Sequence, residues 1–115
     1  MQFTTTIKNN HEFRRLYAKG RSAVTPTLVV YMRRNRLDGN RVGYTVTTKL
    51  GHAVVRNRVR RRLREIYRLH ESELRTGADL VVVARGRSVS ARYRDLERDF
   101  LAASEKLGLL AEAKE

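Results

Sequence analysis

From Ala53 to Glu71 the chain carries neither glycine nor proline, and Val55, Val59, Leu63, Ile66 and His70 recur at the 3.6-residue period of one helix face. No other segment constrains the fold as strongly, because a helix with such a stripe must lie on a core. Its opposite arc is cationic. Seven arginines stand at 56, 58, 60, 61, 62, 64 and 68 against one acid, Glu65. At about 100° per residue, Asn57, Arg58, Arg60, Arg61, Arg64 and Arg68 fall opposite the aliphatic stripe. Like charges at i and i+4 repel by a few tenths of a kcal/mol per pair, so this spacing is costly unless an anion screens it. A solvated amphipathic helix is the plain alternative; the near absence of interleaved acid favours a surface kept for an anionic ligand.

The remaining elements arrange themselves around this helix. Residues 9–20 open on a capping asparagine, place Phe13, Leu16 and Tyr17 at helical spacing and close on Gly20. Arg21 to Thr27, around the only proline, Pro26, reads as a turn or irregular lead-in to a strand at Leu28–Arg33. Asp38, Gly39 and Asn40 are turn residues, and Arg41 to Thr47 alternates Val42, Tyr44 and Val46 with Gly43, Thr45 and Thr47, which suggests a hairpin. Thr76 and Gly77 end the long helix. Ala78–Ala84 is an apolar run of central-strand length, and Ser90 is placed to cap a final helix carrying Tyr93, Leu96, Phe100, Ala103 and Leu107. The expected order is helix, strand, strand, helix, strand, helix: one α/β (α+β) sandwich over residues 1–115, ordered from about 7 to 107, with a frayed tail at 108–115.

Charge narrows the function. The 115 residues include 25 Lys and Arg against 12 Asp and Glu, a net charge of +13 and a pI of about 11.2. A polyanion is the expected partner, and the preference for arginine, whose planar fork meets phosphate bidentately, favours nucleic acid over an anionic membrane or plain solubility. The absence of cysteine excludes disulfides and thiolate zinc sites and suits a reducing compartment, so the cytoplasm is expected. No stretch approaches the roughly 20 apolar residues of a membrane span, and the first residues lack the pattern of an export signal. His11, His52 and His70 are never at metal-pair spacing, and Asp38, Asp79, Asp95 and Asp99 are scattered among elements, so no catalytic residue is expected of the chain itself. His70 reads as a partly buried packing residue.

Phosphate contacts alone do not separate RNA from DNA. The run Lys49-Leu50-Gly51-His52-Ala53-Val54-Val55-Arg56-Asn57-Arg58-Val59-Arg60-Arg61-Arg62-Leu63-Arg64-Glu65 does more: it closely resembles the "RNR" signature of the bacterial ribonuclease P protein subunit. Val42–Thr48 resembles the strand leading into that signature, Phe13–Ser22 resembles the family's first helix and turn, and Asp79–Arg85 fits as well. His52 and Arg61 depart from the expected Asn and Lys.

The resemblance implies an accessory subunit of an endoribonuclease whose RNA is the magnesium-dependent catalyst, with no cofactor held by the protein alone. The resemblance implies that this ribonucleoprotein removes the 5′ leader of precursor tRNA, the protein assisting without cutting, with no membrane and no required protein partner. It implies contact with the RNA subunit through Arg56, Asn57, Arg58, Arg61, Arg62 and Arg64, to which the cationic arc adds Arg60 and Arg68 and the loop before the helix adds Lys49 and Gly51. It also implies a leader-binding cleft lined by Phe13, Tyr17 and Tyr31, and a ribosomal-protein-like fold with a left-handed βαβ crossover, against the usual handedness. Aromatic platforms in an electropositive groove suit single-stranded RNA, though Phe13 and Tyr17 at helical spacing also fit a core. A ribosome-bound structural protein and a DNA reader using its basic helix are the alternatives; a lone basic helix followed at once by a strand does not make a helix-turn-helix.

Overall fold

The computed structural model describes residues 4–111. In chain order it contains β1 (Thr4–Thr6), α1 (Asn10–Lys19), β2 (Arg21–Val24), β3 (Leu28–Arg34), β4 (Asn40–Thr45), α2 (Ala53–His70), β5 (Ala78–Ala84) and α3 (Tyr93–Lys106). Short 3-10 turns lie at Thr48–Leu50, Glu71–Glu73 and Gly86–Ser88. The strands form one mixed sheet in the order β1-β4-β5-β3-β2, with β5 parallel to β4 and antiparallel to β3. Parallel neighbours cannot be joined by a tight turn, so α2 serves as the crossover between β4 and β5.

Both faces of the sheet are covered, which is why β5 reads as a nearly continuous apolar run. Leu80 and Val82 of β5, with Leu28 and Val30 of β3 and Val42 of β4, meet Val59, Leu63 and Ile66 of α2 and Leu96 and Phe100 of α3. Ile66 and Leu80 are 0% exposed, and each such side chain stabilises the fold by roughly 1.5–3 kcal/mol relative to exposure. On the opposite face Val81 packs with Ile7 and with Leu16 of α1, joined by Phe13, Tyr31 and Val83. The valine-leucine-isoleucine stripe expected for α2 is thus its packed face, and the stripe expected for α3 is likewise inward.

Several sequence expectations need correction. β3 and β4 do not form a hairpin: β5 lies between them, because its apolar run is buried on both faces only in the centre of the sheet. The true hairpin is β2–β3, with Val24 opposite Val29 and the turn closed by the Thr25 N–H to Leu28 O at 2.9 Å. Arg21–Val24 is therefore a strand rather than an irregular lead-in. β1 was not anticipated; it adds a parallel edge to β4, Thr4 opposite Asn40. The final helix is not capped by Ser90, since it begins at Tyr93 and the Asp95 carboxylate accepts the Arg92 N–H at 3.2 Å. The tail does not fray at 108: Leu109 is 2% exposed and accepts the Arg75 N–H at 2.6 Å, and Leu110 bridges to Leu74. The remainder of that expected tail, 112–115, lies outside the described residues.

Candidate nucleic-acid interface

The chain enters α2 through the 3-10 turn Thr48–Leu50, and Gly51 makes the connection at φ +139°, a conformation that suits glycine. Its N–H closes the turn on Thr48 O at 3.2 Å, while its carbonyl accepts Arg56 Nε at 3.2 Å. His52 occupies the N-cap position of α2 but makes no side-chain cap, and the first turn contains no acid. Lys49 and Gly51 are exposed beside this uncapped end. Donors and positive charge therefore face solvent together at the start of α2.

Farther along α2 the arginines divide into three groups. Arg61 and Arg64 are exposed and, among the described residues, form no hydrogen bond or ion pair. Arg68, also exposed, is paired with Glu65 at 2.5 Å; surface pairs of this kind are weak and exchange readily for another anion. Arg58 and Arg62 lean the other way: they donate to the carbonyls of Val89 at 3.0 Å and Ala91 at 3.2 Å, clamping the segment before α3. Those carbonyls are thus bound by α2, which is one reason the final helix starts later than Ser90. On the remaining flank Arg60 donates to Asn57 Oδ1 at 3.0 Å and overlooks a cleft.

That cleft, about 540 Å³, lies between α1, the end of β4 and α2, with Phe13, Arg14, Tyr17, Thr45 and Arg60 among its walls. Gly43 makes its floor possible. A Cβ there would stand 2.6 Å from Phe13 Cζ, so the ring lies directly on the strand backbone. Tyr17 is 39% exposed and donates to or accepts from Thr45 Oγ1 at 2.5 Å. Tyr31 reaches the site through Tyr17, ring centroids 5.0 Å apart and planes at 72°. Phe13 and Tyr31 are half-buried, so each both packs and presents ring surface.

The two expected groups of residues lie on opposite faces of the sheet, and Arg60, which lines the cleft from α2, is the link between them. The structure also adds residues that sequence reading passed over. Arg14 and Thr45 line the cleft; neither carries a distinguishing signal in sequence. Tyr44 is held above the usual phenol range by burial, then by the nearby Tyr67 and Glu71, and its hydroxyl is buried without a hydrogen-bond partner among the described residues. His70, half-buried as expected, also makes contacts that were not anticipated, with Glu97 at 2.7 Å and with Glu73. Among the described residues no group of three or more His, Asp or Glu side chains is placed to hold a metal ion, and no helix is long and apolar enough to cross a membrane.

Comparison with known proteins gives the same direction. The family model described as Ribonuclease P matches residues 1–108. The ribonuclease P protein component of Alkaliphilus metalliredigens is 39% identical over 111 residues, 96% of this chain and 100% of that one. That of Thermoanaerobacter pseudethanolicus is 46% identical over 91 residues, 79% and 78% of the two chains. Among solved structures, the Staphylococcus aureus RNase P protein superposes with a TM-score of 0.84 at 31% identity, covering 92% of this chain and 97% of that one. The Thermotoga maritima protein gives 0.78 at 27%, covering 84% and 92%. A basic helix set beside an aromatic cleft on a five-stranded sheet, a family match over residues 1–108 and close structural relatives together place this chain in the bacterial ribonuclease P protein family.

Proposed function

We propose that the chain binds the catalytic RNA subunit of ribonuclease P through α2 and the 5′ leader of precursor tRNA through the aromatic cleft, assisting RNA-catalysed removal of the leader. The observation that carries this reading is the adjacency of two surfaces suited to different RNA. Arg61, Arg64 and Arg68 stand on a convex helix face that fits the backbone of folded RNA. Phe13 and Tyr17 present ring surface in a concave, arginine-flanked cleft, with Tyr31 edge-on against Tyr17 beside it, and stacking there contributes roughly 1–3 kcal/mol per base. Lys49, Gly51, Arg56 and Asn57 extend the first surface around the start of α2, and Arg58 and Arg62 shape it by fixing the segment before α3.

The reading assigns the magnesium to the RNA and gives the protein no catalytic residue; among the described residues no three His, Asp or Glu side chains are grouped to hold a metal ion. The protein's residues position RNA and screen charge. The cytoplasm is the compartment this role requires. The test compares holoenzymes carrying Phe13→Ala and Tyr31→Ala on two ligands, precursor tRNA with its leader and mature tRNA. The reading expects weaker binding of the precursor only; equal loss for both RNAs moves the leader site elsewhere.

A further inference from the structure

On the other side of α1 from the aromatic cleft is a second recess, about 560 Å³, to which no role is assigned above. Arg15 of α1, Arg33 and Arg34 at the end of β3 and Arg36 in the β3–β4 connection all line it. Two carboxylates, Glu12 and Asp79, also border it, but both are engaged. Arg41 donates to Asp79 through Nε at 2.9 Å and Nη2 at 2.5 Å, and its Nη1 pairs with Glu12. Among the described residues the side chains of the other four arginines form no hydrogen bond or ion pair; Arg34 is shared with a neighbouring recess lined by Met32 and Leu74, and Arg15, Arg33 and Arg36 alone outweigh the single negative charge that Arg41, Glu12 and Asp79 together retain, leaving the recess at net +2.

The wall that carries Arg36 is fixed. Arg36 sits at φ +61°, the left-handed region that favours glycine, and it is the one non-glycine residue so placed among the described residues. Asn35 holds it there: its N–H bonds Gly77 O at 3.0 Å and its amide bonds Gly39 O at 3.2 Å and Asp79 Oδ1 at 2.9 Å. Its side-chain Oδ1 also accepts the Leu37 N–H at 2.8 Å. A charged residue is thereby kept in a strained backbone state at the mouth of a cationic recess.

We propose that this recess binds a polyphosphate group, a triphosphate in particular, distinct from the ligands of α2 and of the aromatic cleft. A phosphodiester brings one negative charge and leaves the recess unneutralised, whereas a terminal triphosphate brings about four. Arginine forks converging from a helix, a strand and a turn match its clustered oxygens. Such a group comes from either the 5′ end of an unprocessed transcript or a free nucleotide. The first source rests on the leader-binding reading above; binding itself does not.

The experiment has two arms. In the first, the full chain is titrated calorimetrically with inorganic triphosphate as wild type, as Arg33→Ala/Arg36→Gly and as Arg61→Ala/Arg64→Ala. The glycine relieves the left-handed strain, so the recess variant keeps its melting temperature. The tightest site should weaken by about tenfold or more in the recess variant, the loss expected from removing two charge-assisted contacts, and persist in the α2 variant. Equal weakening in both, or no change in the recess variant, overturns the proposal even where the aromatic cleft still distinguishes precursor from mature tRNA. In the second arm, holoenzyme binds precursors that differ only in a 5′ triphosphate or 5′ hydroxyl. A preference for the triphosphate that vanishes in the recess variant identifies the transcript end; no preference, with the first arm positive, identifies the free nucleotide.

Discussion

Replacing Gly43 by alanine tests whether Phe13 rests on the sheet as described. The new Cβ would lie 2.6 and 2.7 Å from Phe13 Cζ and Cε1 and 3.3 Å from Ile7 Cβ. Those ring distances are about 1 Å inside normal carbon contact, and the ring is hemmed in by α1, so ring and helix must lift together. Overpacking of this kind costs about 1–3 kcal/mol. For a domain of this size that corresponds to a fall in Tm of roughly 4–12 °C. The assay is thermal unfolding followed by circular dichroism, paired with the leader-dependent part of precursor binding, which should fall as the ring leaves its place. Phe13→Ala alone costs about 2 kcal/mol, less than for a fully buried phenylalanine because the ring is half-buried. In the double variant Gly43→Ala/Phe13→Ala the clash disappears, so the two effects should fail to add by about 1 kcal/mol or more. A Gly43→Ala protein with unchanged Tm and leader binding, or a strictly additive cycle, refutes the placement of Phe13.

Other substitutions separate the arginines of α2 by what they touch. Arg61→Ala should leave Tm unchanged and flatten the salt dependence of RNA-subunit binding by roughly 0.7–0.9 in log–log slope per lost phosphate contact, measured by affinity from low to moderate salt. Arg62→Ala should in addition lower stability by about 0.5–1.5 kcal/mol in urea unfolding, because the Ala91 carbonyl loses its donor. Leu109→Ala should destabilise by about 2–4 kcal/mol although it lies where fraying was expected, a result read from the same unfolding curves. Burial alone would lower the His70 pKa, but hydrogen bonds to Glu97 and Glu73 prevail and hold it above the ordinary imidazole value of 6.5. Its stabilising contribution is therefore complete below about pH 6.5 and lost as pH rises through the folded-state value, and His70→Gln should flatten the stability–pH curve in that window.

Periodicity revealed what local sequence can encode. α2, α3 and β5 were legible because their apolar residues recur at the spacing of the face they bury. The strand pairings were not, since β5 slots between β3 and β4 from far along the chain and nothing in the 35–39 segment announces it. β2 was hidden because only Ala23 of its four residues is buried, and β1 because Thr-Thr-Thr has no apolar alternation. The charge pattern located the basic face, yet it could not sort Arg58 and Arg62 from Arg61 and Arg64. That distinction depends on the docking of residues 89–91 against α2, a tertiary contact. Likewise Phe13 and Tyr17 were ambiguous between core and surface, and the structure separates them: Phe13 packs with Leu16 and Val81 while also lining the cleft, whereas Tyr17 lines the cleft and is exposed.

Cleavage of a leader-bearing precursor tRNA at low magnesium, with a bacterial ribonuclease P RNA alone, with the protein alone and with both, tests the central claim most directly. Efficient cutting only by the mixture is the predicted result. Cutting by the protein alone, or no gain when it is added to the RNA, would contradict the account.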